Sequence, residues 1–98
     1  MQLFGDHQRD YDQVQRLLIL QKVRRARQLS HSGEYRIAAK AFKHIAQAFP
    51  DSVEAHRGYI DTKATLGEAA EAQAYYQTLL TQSPDNPILL YAEALASS

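Results

Sequence analysis

Apolar and polar residues follow one another along this chain with the three-to-four-residue spacing of amphipathic helices. Near the start, Tyr11, Val14, Leu17 and Leu18 have this spacing, and similar patterns recur downstream. Leu and Ala dominate the apolar residues and β-branched residues are few, which favours helix over strand. The pattern predicts five helices behind a flexible tail at residues 1–9. We expect the helices over residues 10–32, 34–49, 52–66, 68–83 and 87–97.

The chain also resembles itself when it is displaced by 34 residues. Identical residues then meet at helix ends and helix crossings: Gly33 and Gly67, Glu34 and Glu68, Ala38 and Ala72, Pro50 and Pro84, Asp51 and Asp85. Glycine closes a helix in the left-handed conformation, and proline cannot continue a helix. Alanine lets two helices approach closely where they cross. The period therefore predicts a repeated unit of two antiparallel helices.

These residues resemble the tetratricopeptide repeat. The first unit carries the family's glycine, aromatic, alanine, aromatic and proline as Gly33, Tyr35, Ala38, Phe42 and Pro50. The second unit has Gly67, Ala72, Tyr76 and Pro84, and departs from the family at Ala69 and Ile60. The resemblance implies an all-α fold, an α-solenoid of antiparallel helix hairpins. Its domain would span residues 10–98, with repeat one at 19–52, repeat two at 53–86 and a half repeat at 87–98.

In this family the first helix of each unit lines a concave groove that accepts a peptide or a helix of a partner protein. The resemblance places ten residues of this chain in the groove: Leu20, Val23, Arg24, Arg27, His31, Glu54, Arg57, Asp61, Tyr91 and Leu95. The arginines would form a basic end that holds carboxylates, which favours a partner with acidic side chains. Tyr91 and Leu95 would form an apolar end. The resemblance implies a protein-binding scaffold that uses no cofactor.

The net charge of zero conceals a strong asymmetry. Residues 13–50 carry eight bases and one acid, whereas residues 51–98 carry two bases and seven acids. The last predicted helix, 87–97, is apolar almost all round, as expected if the chain was cut from a longer array or if this helix packs on another copy. A head-to-tail solenoid, in which the basic front of one copy meets the acidic rear of the next, is therefore an alternative function.

RNA binding is a further alternative because residues 22–27 form a dense basic run, but the overall neutrality of the chain disfavours a nucleic acid partner. Catalysis finds little support: the four histidines lack metal-ligand spacing, and the four glycines are not clustered into a phosphate-binding loop. Without cysteine there is neither a disulfide nor a thiolate metal site. No targeting segment or membrane span is visible, so the cytoplasm and the periplasm are equally compatible.

Overall fold

A computed structural model describes the backbone of residues 3–98 and the side chains of residues 10–98. This part of the chain has no strand and forms five α-helices: α1 at Leu3–His31, α2 at Tyr35–Ala48, α3 at Val53–Thr65, α4 at Ala69–Gln82 and α5 at Pro87–Ala96. The all-α solenoid fold is confirmed, and four of the helices begin and end within two residues of their predicted bounds.

Helix α1 is the exception, because it begins at Leu3 instead of residue 10. Residues 3–9 contain no proline, and a single glycine costs a helix only about 1 kcal/mol, so nothing in this segment stops the helix. The predicted start was therefore wrong by seven residues. The mobility expected for residues 1–9 stays a prediction, and residues 1 and 2 lie outside the described part of the chain.

The turns inside the two hairpins have the predicted left-handed glycines. Gly33 has φ of 85° and Gly67 has φ of 75°. Behind each glycine a backbone hydrogen bond closes the first helix: the amide of Glu34 donates to the carbonyl of Leu29 at 2.9 Å, and that of Glu68 to Lys63 at 2.8 Å. Because a side chain at positive φ is strained, glycine is required at both turns.

The helices are arranged in two layers. Helices α1, α3 and α5 contact one another in sequence, while α2 packs on α1 and α3. Helix α4 packs on α3 and α5, and over the described residues α2 and α4 make no close backbone approach. The Cα atoms extend over 55 × 35 × 16 Å, and the shortest dimension fits two packed helices.

Small residues and aromatic rings meet in the core. Ala38, Ala72 and Tyr76 are completely buried, and Phe42 is almost so. The ring of Phe42 in α2 lies directly against Gly58 in α3, where a Cβ atom would overlap three ring atoms, the farthest at 2.6 Å. Glycine at position 58 therefore allows repeat one to pack closely on repeat two. A glycine inside a helical pattern, away from any turn, was the sequence signal for this contact.

A buried histidine connects the two repeats through polar contacts. His56 of α3 lies 2.8 Å from the hydroxyl of Tyr76 in α4 and 2.8 Å from the carbonyl oxygen of Pro50 in the α2–α3 turn. Since a carbonyl can only accept, His56 Nε2 donates to Pro50, and His56 Nδ1 shares a hydrogen bond with the Tyr76 hydroxyl. Burial raises the pKa of Tyr76 well above its ordinary value, so the hydroxyl keeps its proton.

Candidate partner-binding surface

The exposed faces of α1, α3 and α5 carry nine of the ten residues predicted to line a groove. Arg24 and Arg27 are exposed on α1, as are Arg57 on α3 and Tyr91 on α5. The remaining members of the set are exposed or half-buried: Leu20, His31, Glu54, Asp61 and Leu95. The set thus contains three exposed cationic side chains on the layer of first helices, followed by apolar side chains on α5.

Val23 is the residue of this set that cannot contact a partner. Its side chain is 1% exposed and belongs to the hydrophobic core together with Ala26. The equivalent residue 34 positions later, Arg57, is exposed. The two positions differ because Val23 is turned into the core beside Ala26, whereas Arg57 lies on the exposed side of α3. The 34-residue correspondence between the repeats therefore does not predict burial at this position of α1.

On α3 the exposed residues form one narrow charged face. Glu54, Arg57 and Asp61 follow one another at spacings of three and four residues, so they lie on the same side of the helix. The opposite side, which includes Ala55 and Tyr59, is buried. Among the described residues no ion pair engages Arg57, so its guanidinium can bind a carboxylate of another molecule.

The other base of α3, Lys63, forms ion pairs within the chain. Its ammonium donates to Glu68 at 2.7 Å and lies 3.7 Å from Glu71, both at the start of α4. Arg36 of α2 approaches Glu68 at 3.4 Å and so joins repeat one to this group. The hydrogen bond between Lys63 and Glu68 lowers the pKa of Glu68 and raises the pKa of Lys63. Within α3, Arg57 is therefore the base that remains for a partner.

Sequence reasoning missed an open cleft beside this surface. It has a volume of about 830 Å³ and lies between α1 and the α2–α3 turn. Its lining comes from three segments: Asp12, Gln15, Arg16, Ile19 and Leu20; Ala48, Phe49 and Pro50; Asp51, Ser52, Val53 and Glu54. The cleft exists because α1 is twice as long as α2 and continues past its end. The continuation of the apolar spacing to Tyr11 was a sequence signal for this length, but the predicted helix start was too late.

The described residues contain neither a metal-binding cluster nor a membrane-spanning helix. No group of three or more histidine, cysteine, aspartate or glutamate side chains there is placed to hold a metal ion. None of the described helices is both long enough and apolar enough to cross a membrane.

Comparison with protein families decides the classification. The model of the family described as tetratricopeptide repeat matches residues 29–97, which include α2 to α5 in full. The chain belongs to the tetratricopeptide repeat family. Tetratricopeptide repeats generally mediate protein–protein interaction, and the family is typically a non-catalytic scaffold. Neither the curated proteins nor the solved structures gave a significant match. The tetratricopeptide repeat match begins near the end of α1 and leaves residues 3–28 outside it.

Proposed function

We propose that this tetratricopeptide repeat chain binds an acidic peptide or helix of a partner protein across the exposed faces of α1, α3 and α5. The observation that carries the proposal is the arrangement of three exposed arginines, Arg24, Arg27 and Arg57, on the same layer as the apolar side chains Tyr91 and Leu95. Nothing in the described part of the chain neutralises these arginines through an ion pair.

The packing of the layers supports a concave surface. The first helices α1, α3 and α5 contact one another, whereas the second helices α2 and α4 are separated. Their connection depends on long side chains, such as Lys43 of α2, whose ammonium lies 4.7 Å from the ring centre of Tyr75 in α4. A stack whose first helices are closer than its second helices curves with the first helices on the inside.

The two ends of this groove have different roles in binding. An exposed ion pair contributes only about 0.2–1 kcal/mol, so the arginines mainly select acidic segments and fix their orientation. Full burial of one large apolar side chain contributes about 1.5–3 kcal/mol, so most of the affinity comes from contacts around Tyr91 and Leu95. The preferred ligand is a segment with acidic residues at one end and an aliphatic or aromatic residue at the other.

The test is a charge reversal with a matched control. The groove variant replaces three bases by glutamate: Arg24, Arg27 and Arg57. The control variant changes the net charge equally at three exposed bases outside the groove: Lys22, Arg25 and Lys40. Both are used as bait in quantitative pull-downs from the native lysate, after circular dichroism has shown native helix content. We expect the groove variant to lose acidic partners that the control retains. Equal capture by wild type and both variants would refute the proposal.

One observation favours the head-to-tail assembly as a second function. In the 34-residue register Leu90 and Ala94 of α5 correspond to His56 and Ile60 of α3, which are buried in repeat two. Leu90 is 49% exposed and Ala94 is also exposed, so α5 presents a face that its counterpart α3 buries. Head-to-tail contact through this face predicts a mass that grows without limit as concentration rises and falls with added salt. Light scattering on the full chain measures both trends, and a mass independent of concentration would refute this function.

A further inference from the structure

The first half of α1 carries an apolar stripe that the rest of the chain leaves uncovered. Tyr11 is 62% exposed, Val14 63%, Leu17 60% and Leu18 43%. We call these four residues the α1 stripe. Spacings of three and four residues place Tyr11, Val14 and Leu18 in one row along α1, and Leu17 lies beside Val14. Four large apolar side chains exposed together on one helix face indicate a surface for contact with another molecule.

The first half of α1 projects from the hairpins and lacks packing contacts that would stabilise it as a helix. Helix α1 has 29 residues and α2 has 14, so the beginning of α1 projects past the end of α2. The family match also excludes this segment. Isolated helices are marginal in water, and helices in proteins are stabilised mainly by packing of their apolar face. The projecting part of α1 therefore requires a contact that the hairpins do not provide.

We infer that the α1 stripe pairs with the α1 stripe of a second copy, with the two helices antiparallel. Tyr11, Val14 and Leu18 have the spacing of core positions in a helix pair. In the antiparallel register, Val14 packs on Leu18 of the second copy. Leu17 directly precedes the seam position Leu18, so it lies at the edge of the seam and meets Leu17 of the second copy beside the two-fold axis.

Charge complementarity selects this occupant and this direction. Asp10 and Arg24 lie seven residues before and after Leu17, on the same edge of the seam, so Asp10 comes opposite Arg24 of the second copy, and the two-fold symmetry makes this pair twice. Both side chains are exposed, and neither takes part in an ion pair among the described residues. In a parallel pair this flank would instead face the other flank of the second copy, with Asp10 near Gln15 and Arg24 near Leu29, so no ion pair would form there. The segment is thus complementary to itself only when one copy is reversed.

The contact has a consequence for binding that does not depend on the proposed groove. None of the stripe residues lines the cleft toward the start of α3. A dimer therefore engages Arg24 on each copy and leaves the exposed side of α3, with Arg57, open. Any ligand that carries two binding segments can then occupy both copies at once, and its second binding event becomes intramolecular. The dimer would therefore be a bivalent form of the chain.

The first experiment measures mass by sedimentation equilibrium on the full chain, which has a monomer mass of 11.1 kDa. We expect wild type to approach twice this mass and to stop there as concentration rises. Val14→Asp and Leu18→Asp, both at exposed sites, should be monomeric with unchanged helix content for α2 to α5. A wild-type monomer at millimolar concentration would overturn the inference. So would a mass that passes the dimer, as head-to-tail growth requires, or a dimer that survives both substitutions.

The second experiment tests the register through charge exchange. Asp10→Arg or Arg24→Asp alone creates two repulsive pairs and should weaken dimerisation about tenfold, since two such pairs change the binding free energy by about 1.4 kcal/mol. The double variant restores both pairs with the net charge of wild type, and its dissociation constant should return to the wild-type value. Lys40→Asp is the matched control for charge alone and should leave the mass unchanged. If the double variant is as weak as the single ones, the antiparallel register is wrong.

Discussion

The contact between Gly58 and Phe42 can be tested by a single methyl group. Gly58→Ala adds a Cβ atom that would overlap three atoms of the Phe42 ring, including Cζ at 2.6 Å. A ring cannot yield as a flexible side chain can, and Phe42 is only 2% exposed, so it has no free space to enter. Helices α2 and α3 must therefore move apart or the ring must leave its preferred rotamer.

Two opposing effects determine the size of the change. Alanine is favoured over glycine by about 0.8–1.0 kcal/mol inside a helix, so propensity alone would stabilise the variant. Overpacking of a core typically costs about 1–3 kcal/mol, and an overlap with three atoms of a rigid ring belongs at the upper end. The net loss should be about 2 kcal/mol in the free energy of unfolding. For a domain of this size that loss lowers the melting temperature by about 10 °C.

The assay is urea unfolding followed by circular dichroism, with two reference variants. Ala64→Gly at an exposed site of α3 measures the helix propensity alone and should cost about 1 kcal/mol. In a Phe42→Leu background the smaller side chain makes room, so Gly58→Ala should become neutral or stabilising there. If Gly58→Ala in the wild-type background gains the full propensity benefit, the ring does not lie against α3 and the described interface between the repeats is wrong.

Two further predictions concern polar contacts. Because the folded pKa of Glu68 is lowered, its contribution to stability is present above the unfolded pKa of about 4.3 and is lost as pH falls through the folded pKa. Glu68→Gln should therefore lower the urea midpoint at about pH 7 and leave it unchanged at about pH 3. The control, Asp61→Asn at an exposed site, should have little effect at either pH. An equal loss of stability for Glu68→Gln at both pH values would contradict the ion pair. Tyr76→Phe removes the hydroxyl that hydrogen-bonds to His56 and leaves a buried ring nitrogen unpaired, which should cost about 1–3 kcal/mol in urea unfolding. Tyr35→Phe at a more exposed tyrosine is the control, and equal midpoints for the two variants would contradict the hydrogen bond between Tyr76 and His56.

The repeat and its turns could be predicted because they depend on local physics. Glycine adopts the left-handed conformation without strain, which predicts the turns at Gly33 and Gly67. Proline cannot continue a helix, which predicts the helix ends before Pro50 and Pro84. Their recurrence with one period was sufficient to give the number of helices and their antiparallel pairing. The arginines of the candidate surface are exposed, as expected because charged side chains seldom enter a core without partners, and their role in a groove stays a prediction.

The parts that could not be predicted depend on which helices are neighbours. Val23 is apolar and buried, yet the family resemblance placed it in the groove, because a repeat pattern does not show which side of α1 turns toward the core. The open cleft depends on the length of α1 relative to α2, and the start of α1 was misjudged. Gly58 was visible in the sequence, but its neighbour Phe42 lies in another repeat, so only the fold could identify the contact.

The segregation of charge is better explained by association than by folding. Three ion pairs connect α2, α3 and α4 among the described residues, and all of them involve Lys63 or Glu68. Most bases of residues 13–50 thus take no part in stabilising the hairpins. A surface that mixed both signs would reduce repulsion between these bases, so their concentration on one half has a cost for the fold. The same concentration creates a field that attracts acidic segments before contact, over about 8–10 Å at moderate salt. The rate of association with an acidic partner should therefore fall with ionic strength much more steeply than the rate of dissociation rises.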